Sequence, residues 1–284
     1  MSKTVINPGS STGERIGTKV WENKKLTASM NAMAVRVYDT GYAEVRNTWH
    51  SEASALPFTR IYVVQEGNAW ISDAEQTFRM EPNMVYIIPA GVACAYHCDS
   101  FMHKLYFHLN VYKSDHYDLL SANQQIGCFS VDPDFVNRLL RHYQGEGYRD
   151  AAMLQAELLR LLGMFLQRFQ PAALSSRDYS DVVSKTLDYI HRHLSAKLRN
   201  EALAERFFVS RTYLTDRFRR EVGVSLGKYI DDQLMQEAQL RLCRTDDSIR
   251  TISLDLGFSD QFYFSRRFKQ LCGLTPLQYR KQNR

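Results

Sequence analysis

The chain has 284 residues, a length that predicts two domains, with 36 Lys and Arg against 31 Asp and Glu and a formal net charge of +5. Hydrophobic residues make up 44% and charged residues 24%, which is typical of globular proteins and excludes a chain that is disordered throughout. No apolar run approaches the roughly 18–20 residues that a membrane span needs, and the polar residues 1–20 lack the apolar core of a secretory signal.

Residues 33–111 carry the pattern of short β-strands. Met33–Tyr38 and Thr59–Gln65 are rich in β-branched and aromatic residues, and the turn signals Thr40-Gly41 and Glu66–Asn68 follow them. Further strands are predicted over Ala69–Ser72, Gln76–Met80, Met84–Ile88, Ala93–Cys98 and Met102–Val111. Short strands at this regular spacing predict an antiparallel sandwich or barrel.

Two helices are predicted after the strands. Asp132 is placed to cap the first helix, with Pro133 at its first position and an end near Gln144. The second, Ala151–Phe169, has two apolar stripes: Leu154, Leu158, Leu161 and Phe165, and Leu159, Leu162 and Leu166. One stripe covers the sheet, and the other predicts contact with a second copy of the chain, unless both are buried within one chain. A Pro- and Ser-containing break follows, which we take as the domain boundary.

The C-terminal part is basic, helical and internally duplicated. From Arg177 onward there are 20 Lys and Arg and 14 Asp and Glu, an excess that favours a polyanionic partner. Residues 203–223 are repeated as 252–273. Each copy predicts a short helix, a turn and a second helix, which begins at Ser210 or Ser259 and ends at a glycine. The matched pairs include Phe218 and Phe268, Gly223 and Gly273, Ser225 and Thr275, and Tyr229 and Tyr279. This is a helix-turn-helix present twice.

The second helix of each unit is the predicted reader of DNA, because such helices lie in the major groove. On a helical wheel of Ser259–Cys272, one face is apolar (Phe264, Phe268 and Leu271), and the opposite side carries Phe262, Arg266 and Lys269, flanked by Gln261 and Ser265. Arg can bind guanine, Gln adenine, and Phe the methyl group of thymine. The alternative is an ordinary amphipathic helix with a solvated charged face.

In the first unit, Leu214 and Phe218 point inward, and Thr212, Asp216 and Arg219 point outward. We expect Asp216 either to accept a hydrogen bond from cytosine or to form an ion pair with Arg220. Phosphate contacts are expected from Arg211, Arg217, Arg219, Arg220, Arg267 and Lys269. Between the units, the predicted helix from Ser225 to Cys243 is about 28 Å long at 1.5 Å per residue. It would hold the two readers roughly 34 Å apart, one turn of DNA.

These residues resemble a known family. Residues 201–280 are similar to the DNA-binding domain of the AraC/XylS family, on the motifs Gly257-Phe258-Ser259-Asp260, Tyr263-Phe264-Ser265-Arg266 and Gly273-Leu274-Thr275-Pro276. The resemblance implies base-reading roles for Arg211, Thr212, Thr215 and Asp216, and for Gln261, Phe262, Ser265 and Arg266. Asp216 stands where members often have Arg, and Phe208 where the turn often has Gly. We therefore expect the second unit to dominate specificity.

The N-terminal part resembles the cupin-like effector domain of the sugar-responsive branch of that family, on Tyr62–Gly67, Ile88–Gly91 and Tyr106–Leu109. The resemblance implies a small effector, often a carbohydrate, inside a barrel, and dimerisation through helices. It also implies that residues 1–20 form a flexible arm. Ligand contacts are implied for Glu66, Tyr96, Tyr106 and Trp49. The alternative is that these aromatic residues only fill the barrel.

The expected fold is therefore α+β. A cupin-like antiparallel β-barrel with flanking helices is expected over 21–170, a linker over 171–180, and an all-α double helix-turn-helix domain over 181–284. The expected function is sequence-specific transcription regulation under a small-molecule effector, by a homodimer formed through residues 151–169. The expected partners are double-stranded DNA, the effector, a second copy of the chain and RNA polymerase, with no membrane. Activation or repression stays open.

Two rival functions remain: a metal-dependent cupin enzyme, and a DNA-bound regulator without a ligand. The eight histidines offer no His-x-His within a strand run. Cys94 and Cys98, four residues apart on a strand, are separated by about 13 Å, too far to share one zinc ion. We therefore expect no metal, no cofactor and no enzymatic activity. The five cysteines are odd in number and scattered, which favours a reducing cytoplasm.

Overall fold

The computed structural model describes residues 12–15, 18–21, 23–121, 123–169 and 179–283. Most of the expected arm (1–20) and most of the expected linker (171–180) therefore lie outside the described residues. Strands β1 (Thr12–Arg15) and β2 (Thr18–Trp21), which overlap the expected arm, pair in an antiparallel ladder. None of the helices in the described segments is long and apolar enough to cross a membrane.

The N-terminal part is a sandwich of two antiparallel sheets. The remaining strands are β3 (Ala34–Arg46), β4 (His50–Ala55), β5 (Thr59–Gly67), β6 (Ala69–Ser72), β7 (Thr77–Met80), β8 (Met84–Ile88), β9 (Ala93–His97), β10 (Phe101–Tyr112) and β11 (Gly127–Ser130). One sheet has the order β11-β8-β5-β10-β3 and the other β4-β9-β6-β7. Among the described strands the two sheets do not join into a closed barrel, so the expected barrel is corrected to a sandwich.

The strand β3 runs through a predicted turn. Gly41 lies in the middle of β3, opposite Tyr106 on β10. A Cβ atom at Gly41 would lie 2.5 Å from the phenolic oxygen of Tyr106, so the glycine leaves room for that ring. Helix α1 (Lys24–Ala32) and strands β4 and β11 were not predicted from the sequence. The segment His50–Ala55 has no β-branched residue, so its composition carries no strand signal.

Alternation along the strands divides the apolar residues between two layers. In β5, Ile61 and Val63 pack under helices α2 (Pro133–Tyr143) and α3 (Tyr148–Phe169), while Tyr62 and Val64 face the other sheet. The predicted cap of α2 is confirmed, because the carboxylate of Asp132 accepts from the Asp134 amide at 2.8 Å. The four-stranded sheet therefore encloses one side of β5 and β10, and the helices cover the other.

Both apolar stripes of α3 are partly buried within one chain. Leu158, Leu161 and Phe165 of the first stripe are buried, as is Leu162 of the second. Leu159 of the second stripe remains 38% exposed. The second stripe is thus only partly available for contact with another copy.

The C-terminal part is helical and repeats itself. Its helices are α4 (Asp181–Arg192), α5 (Asn200–Arg206), α6 (Arg211–Val222), α7 (Leu226–Arg244), α8 (Ile249–Asp255), α9 (Gln261–Cys272) and α10 (Pro276–Gln282). The series α5–α6–α7 recurs as α8–α9–α10. Gly223 and Gly273 end α6 and α9 with φ of 94° and 81°, left-handed conformations that glycine adopts without steric cost.

The cap of α9 differs from the prediction by one residue. Ser210 caps α6 as predicted, accepting from the Tyr213 amide at 3.2 Å. In the second unit Asp260 takes the place predicted for Ser259, and its Oδ1 accepts from the amides of Phe262 and Tyr263 at 2.8 Å each. A carboxylate at this position also lies favourably at the positive end of the helix dipole.

One apolar core joins the two helix-turn-helix units. Phe218 of α6 and Phe264 and Phe268 of α9 are fully buried and pack around Tyr229 and other residues of α7. Leu271, which the helical wheel places on the apolar face, is instead 37% exposed. Helix α7 therefore connects the units through a shared core as well as through the chain.

Phe208 lies in the first turn with φ of 55° and is 96% exposed. The corresponding Gly257 in the second unit has φ of 80°. The left-handed conformation costs a non-glycine residue about 1–2 kcal/mol, part of which glycine's greater flexibility in the unfolded chain offsets. We expect Phe208→Gly to raise the free energy of unfolding of the C-terminal part by about 0.5–1 kcal/mol, measured by urea denaturation.

The matched control is Gly257→Ala. A Cβ atom at Gly257 would lie 2.1 Å from Ser195 Oγ, so this substitution should lower stability. If Phe208→Gly is no more stable than the unmodified protein, the strain assigned to Phe208 is contradicted.

Candidate nucleic-acid interface and ligand cavity

The outer face of α9 presents the predicted reading residues together. Phe262 is 68% exposed, and Arg266 is also exposed, while Gln261 and Ser265 beside them are half-buried. Phe264 lies fully buried on the opposite face and anchors the helix. A large exposed aromatic ring beside an exposed guanidinium is suited to contact with base edges in a groove.

The corresponding face of α6 is more constrained. Thr212 and Asp216 are exposed, but the guanidinium of Arg211 is paired with Glu201 at 2.9 Å. The hydroxyl of Thr215 donates to the Arg211 carbonyl of its own helix at 3.0 Å. The ion pairs that α6 makes within the described residues are Arg211–Glu201 and Arg217–Glu221, and neither involves Asp216.

The predicted phosphate contacts fall into two groups. Arg219, Arg220 and Lys269 are exposed on the surface of the reading helices. Arg217 donates to Glu221 at 2.7 Å and to the Ser180 hydroxyl at 3.0 Å. Arg267 pairs with Asp231 of α7. Arg217 and Arg267 therefore hold their helices against neighbouring elements, in addition to any contact that they make with a polyanion.

A cavity of about 660 Å³ lies inside the N-terminal sandwich and opens toward the C-terminal helices. Its lining includes Asp39, Trp49, Ser51, Ser54, Phe58, Arg60, Tyr62, Tyr96, Lys104, Tyr106, His108, Arg244 and Asn283. A volume of this size accommodates a small organic molecule. The sandwich is therefore not filled by its own aromatic side chains.

Three of the four predicted ligand residues line this cavity. The rings of Trp49 and Tyr96 stack with centroids 4.3 Å apart, and Tyr106 lies on the facing sheet. Glu66 does not line the cavity. Its side chain is 63% exposed, and its carboxylate lies 3.5 Å from Nδ1 of His103 at the far end of β5, so its predicted place in the site is corrected.

The basic residues of the cavity were not predicted as ligand residues from the sequence. Arg60 and Lys104 are 2% and 3% exposed, and His108 is half-buried on the same strand as Lys104. The two-residue period of a strand carries the signal, because Arg60 shares a face with Tyr62, and Lys104 and His108 share one with Tyr106. Because Tyr106 was predicted to contact the ligand, Lys104 and His108, two residues before and after it on the same face of the strand, could have been predicted as candidates as well.

The imidazole of His108 is held neutral. Its burial, together with the positive charges of Arg60, Lys104 and Arg244, lowers its pKa from 6.5 to about 3. The carboxylate of Asp39 lies 3.8 Å from Nδ1, but that side chain is 43% exposed and solvent weakens its effect.

This lowered pKa makes stability depend on pH. The unfolded chain protonates His108 near pH 6.5 and the folded chain only near 3, so the stability due to the neutral ring is present above 6.5 and is lost as pH falls. Between pH 7.5 and 5.5 we expect the free energy of unfolding to fall by about 1–1.5 kcal/mol more than in His108→Gln. Urea denaturation at both pH values measures this. Parallel pH profiles of the two proteins would contradict the assignment.

The C-terminal helices contribute to the mouth of the cavity. Arg244, the last residue of α7, donates to the Tyr38 carbonyl, and its guanidinium lies 4.0 Å from Asp39. At a second contact between the two parts, the hydroxyl of Tyr229 on α7 donates to the Asp115 carbonyl at 2.7 Å. A ligand in the cavity is thus within reach of the helix that connects the two helix-turn-helix units.

A metal centre is not assembled from the described residues. No group of three or more His, Cys, Asp or Glu side chains in them converges on a possible ion site. All five cysteines are free thiols.

Two protein families match the chain. A helix-turn-helix domain family matches residues 203–282, and the AraC-like ligand binding domain family matches residues 37–180, half of the chain. These matches define a DNA-binding transcriptional regulator that carries a ligand-binding domain. The chain belongs to the AraC family.

The chain is also similar to individual proteins of known name. Over 228 residues the chain is 27% identical to the arabinose operon regulatory protein of Escherichia coli (strain K12), covering 75% of this chain and 77% of that protein. Over 100 residues it is 37% identical to the regulatory protein PocR of Salmonella typhimurium, covering 35% of this chain and 33% of PocR. The solved C-terminal domain of AraT, a response regulator from Geobacillus stearothermophilus, is 34% identical with a TM-score of 0.36, covering 37% of this chain and 88% of that chain.

Proposed function

We propose that this protein is a sequence-specific transcriptional regulator whose action is controlled by a carbohydrate bound in the cavity of the sandwich. The observation that carries the proposal is that the cavity has an aromatic wall inside and α7 at its mouth. A sugar can place a ring face on an aromatic side chain while polar groups select its hydroxyls. The relative named for the arabinose operon supports the choice of a sugar.

The contacts of Arg244 suggest how the ligand acts. Arg244 holds the end of α7 against Tyr38 and Asp39 at the mouth of the cavity. A ligand that interacts with Arg244 or Asp39 would bind more tightly to one arrangement of the two parts than to another. It would then shift the population of arrangements and change which DNA half-sites the protein can span.

The proposed DNA contacts place the two reading helices on successive segments of the major groove. Helix α7 has 19 residues and is about 28 Å long, close to one turn of DNA once the thickness of each unit is added. The free face of α9 and the internal pairing of Arg211 and Thr215 in α6 support a dominant role for the second unit in specificity.

Further partners are proposals of the same kind. Homodimerisation through residues 151–169 is supported by the exposed side chains of Leu159 and Met153, which are 38% and 45% accessible. A contact with RNA polymerase rests on the family resemblance alone. A cytoplasmic location is supported by the five free thiols and by the DNA target.

The proposal is tested by measuring DNA binding or transcription with a panel of sugars and without them. We expect one class of sugar to change the response of the unmodified protein. Trp49→Ala, which removes half of the stacked pair in the cavity, should bind DNA normally and lose the response. An unchanged response under every sugar would count against a carbohydrate effector.

A further inference from the structure

The inner wall of the cavity carries two buried cationic side chains from neighbouring strands. Arg60 lies on β5 and Lys104 on β10, and both are at least nine-tenths buried. Pairs across the two strands place Tyr62 opposite Tyr106 and Arg60 opposite His108. The basic groups therefore line one continuous surface of the five-stranded sheet that faces the cavity.

The hydrogen-bonding capacity of these groups is only partly used. A guanidinium has five N–H donors. Nη2 of Arg60 donates to the Val92 carbonyl at 3.2 Å, while its buried Nε has no hydrogen-bond partner in the described part of the chain. The ammonium of Lys104 lies 3.7 Å from the ring centres of both Trp49 and Tyr62. Aromatic faces attract a cation, but they carry no compensating charge.

The described residues place no carboxylate in the interior of this cavity. Among the described residues that line the cavity, the only carboxylate belongs to Asp39. This side chain is 43% exposed at the mouth and lies near Arg244. Burial and the neighbouring charge of Arg60 hold the pKa of Lys104 well below its ordinary value. Buried charges are ordinarily paired, so an unpaired cluster of this kind is costly to the empty protein.

We propose that the effector carries an anionic group, a carboxylate or a phosphate, which binds between Arg60 and Lys104 while the rest of the molecule lies against Trp49 and Tyr96. The inference rests on the proposed function and narrows it from carbohydrates in general to acidic ones, such as uronic acids or sugar phosphates. An anion accepts charge-assisted hydrogen bonds from both side chains. A neutral sugar would leave the buried cations uncompensated.

The affinity test compares acidic sugars with their neutral parents on the full chain, by titration calorimetry at constant ionic strength. The probes are glucuronate, galacturonate and glucose 6-phosphate, against glucose and galactose; carboxylate and phosphate probes distinguish the two sources of charge. We expect at least one acidic probe to bind about 10–100-fold more tightly than its neutral parent. Lys104→Met should abolish this preference, and Lys25→Gln, at an exposed lysine on α1, should retain it.

A second measurement needs no ligand. Because Lys104 is buried and no carboxylate of the described residues pairs with it, Lys104→Met should raise the Tm of the ligand-free protein by about 2–4 °C, whereas a structural role for the lysine would predict a lower Tm for this variant. The same thermal unfolding measurement shows whether Lys104→Met folds. Lys104→Gln provides a second variant for the same test.

The outcomes separate this inference from the proposed function. Equal affinity for acidic and neutral sugars, or an acid preference that persists in Lys104→Met, overturns the anionic site and leaves a sugar-controlled regulator standing. Failure of every acidic probe to bind also overturns the anionic site. If, in addition, no sugar alters DNA binding, the proposed function fails as well.

Discussion

Replacing Phe264 with alanine is expected to lower the free energy of unfolding of the C-terminal part by about 3–5 kcal/mol. The ring is fully buried on the inner face of α9, packed against Phe258 and Phe268 with centroids 5.1 and 5.7 Å away. Its removal leaves a cavity in the core that the two helix-turn-helix units share. Urea denaturation followed by circular dichroism measures the loss, since α9 and the neighbouring helices should unfold together.

The chain supplies a matched control two residues away. Phe262 lies on the same helix and is 68% exposed, so Phe262→Ala should change stability by less than about 0.5 kcal/mol. It should nevertheless weaken binding to operator DNA, because we expect this exposed ring to contact base edges in the groove. Comparable stability losses in the two variants, or normal DNA binding by Phe262→Ala, would contradict the orientation assigned to α9.

Arg266→Ala is expected to weaken binding to operator DNA by about 1–3 kcal/mol, or roughly 5–150-fold, and to relax specificity at one base pair. The guanidinium is exposed on the outer face of α9, one turn beyond Phe262. If Arg266 contacts a base edge, its removal weakens binding only to DNA that carries the correct base. If it contacts a phosphate, its removal weakens binding to every sequence. Fluorescence anisotropy with the operator and with single-base variants distinguishes the two.

The control for net charge is Arg79→Ala in the N-terminal sandwich. Arg79 is 55% exposed and lies 3.9 Å from Glu81, so its removal changes the charge of the protein without altering the reading helices. We expect it to bind the operator normally at the same salt concentration. An Arg266→Ala protein that binds as tightly as Arg79→Ala, with unchanged specificity, would show that α9 does not read DNA in this orientation.

Much of the fold was predictable because local patterns report it directly. The β-branched and aromatic composition of Thr59–Gln65 and the regular spacing of the short strands predicted Thr59–Gln65 and Met102–Val111 as strands, each of which the structure extends by two residues. The duplicated Gly and Phe positions predicted the paired units, and their glycines adopt the left-handed conformation in both copies. Such features depend on residues close together in the sequence.

The features that were missed depend on distant partners. Gly41 resembles a turn residue in the sequence, and only the ring of Tyr106, on a strand 65 residues away, explains its place inside β3. Likewise, the isolated charges of Arg60 and Lys104 become a site only when β5 and β10 pair. Arg244 adds a third positive charge from another domain, and no local pattern could place it at the mouth.

Within the described residues, contacts with the sandwich lie near both ends of α7. Tyr229 and Arg244 are 15 residues apart, so they hold the helix at points separated by about 22 Å along its axis. If an occupant of the cavity released the Arg244 end alone, α7 would swing about the Tyr229 end. Both helix-turn-helix units pack on α7, so they would turn together as one body. The signal would then reach DNA as a change of angle, with each unit's own fold preserved.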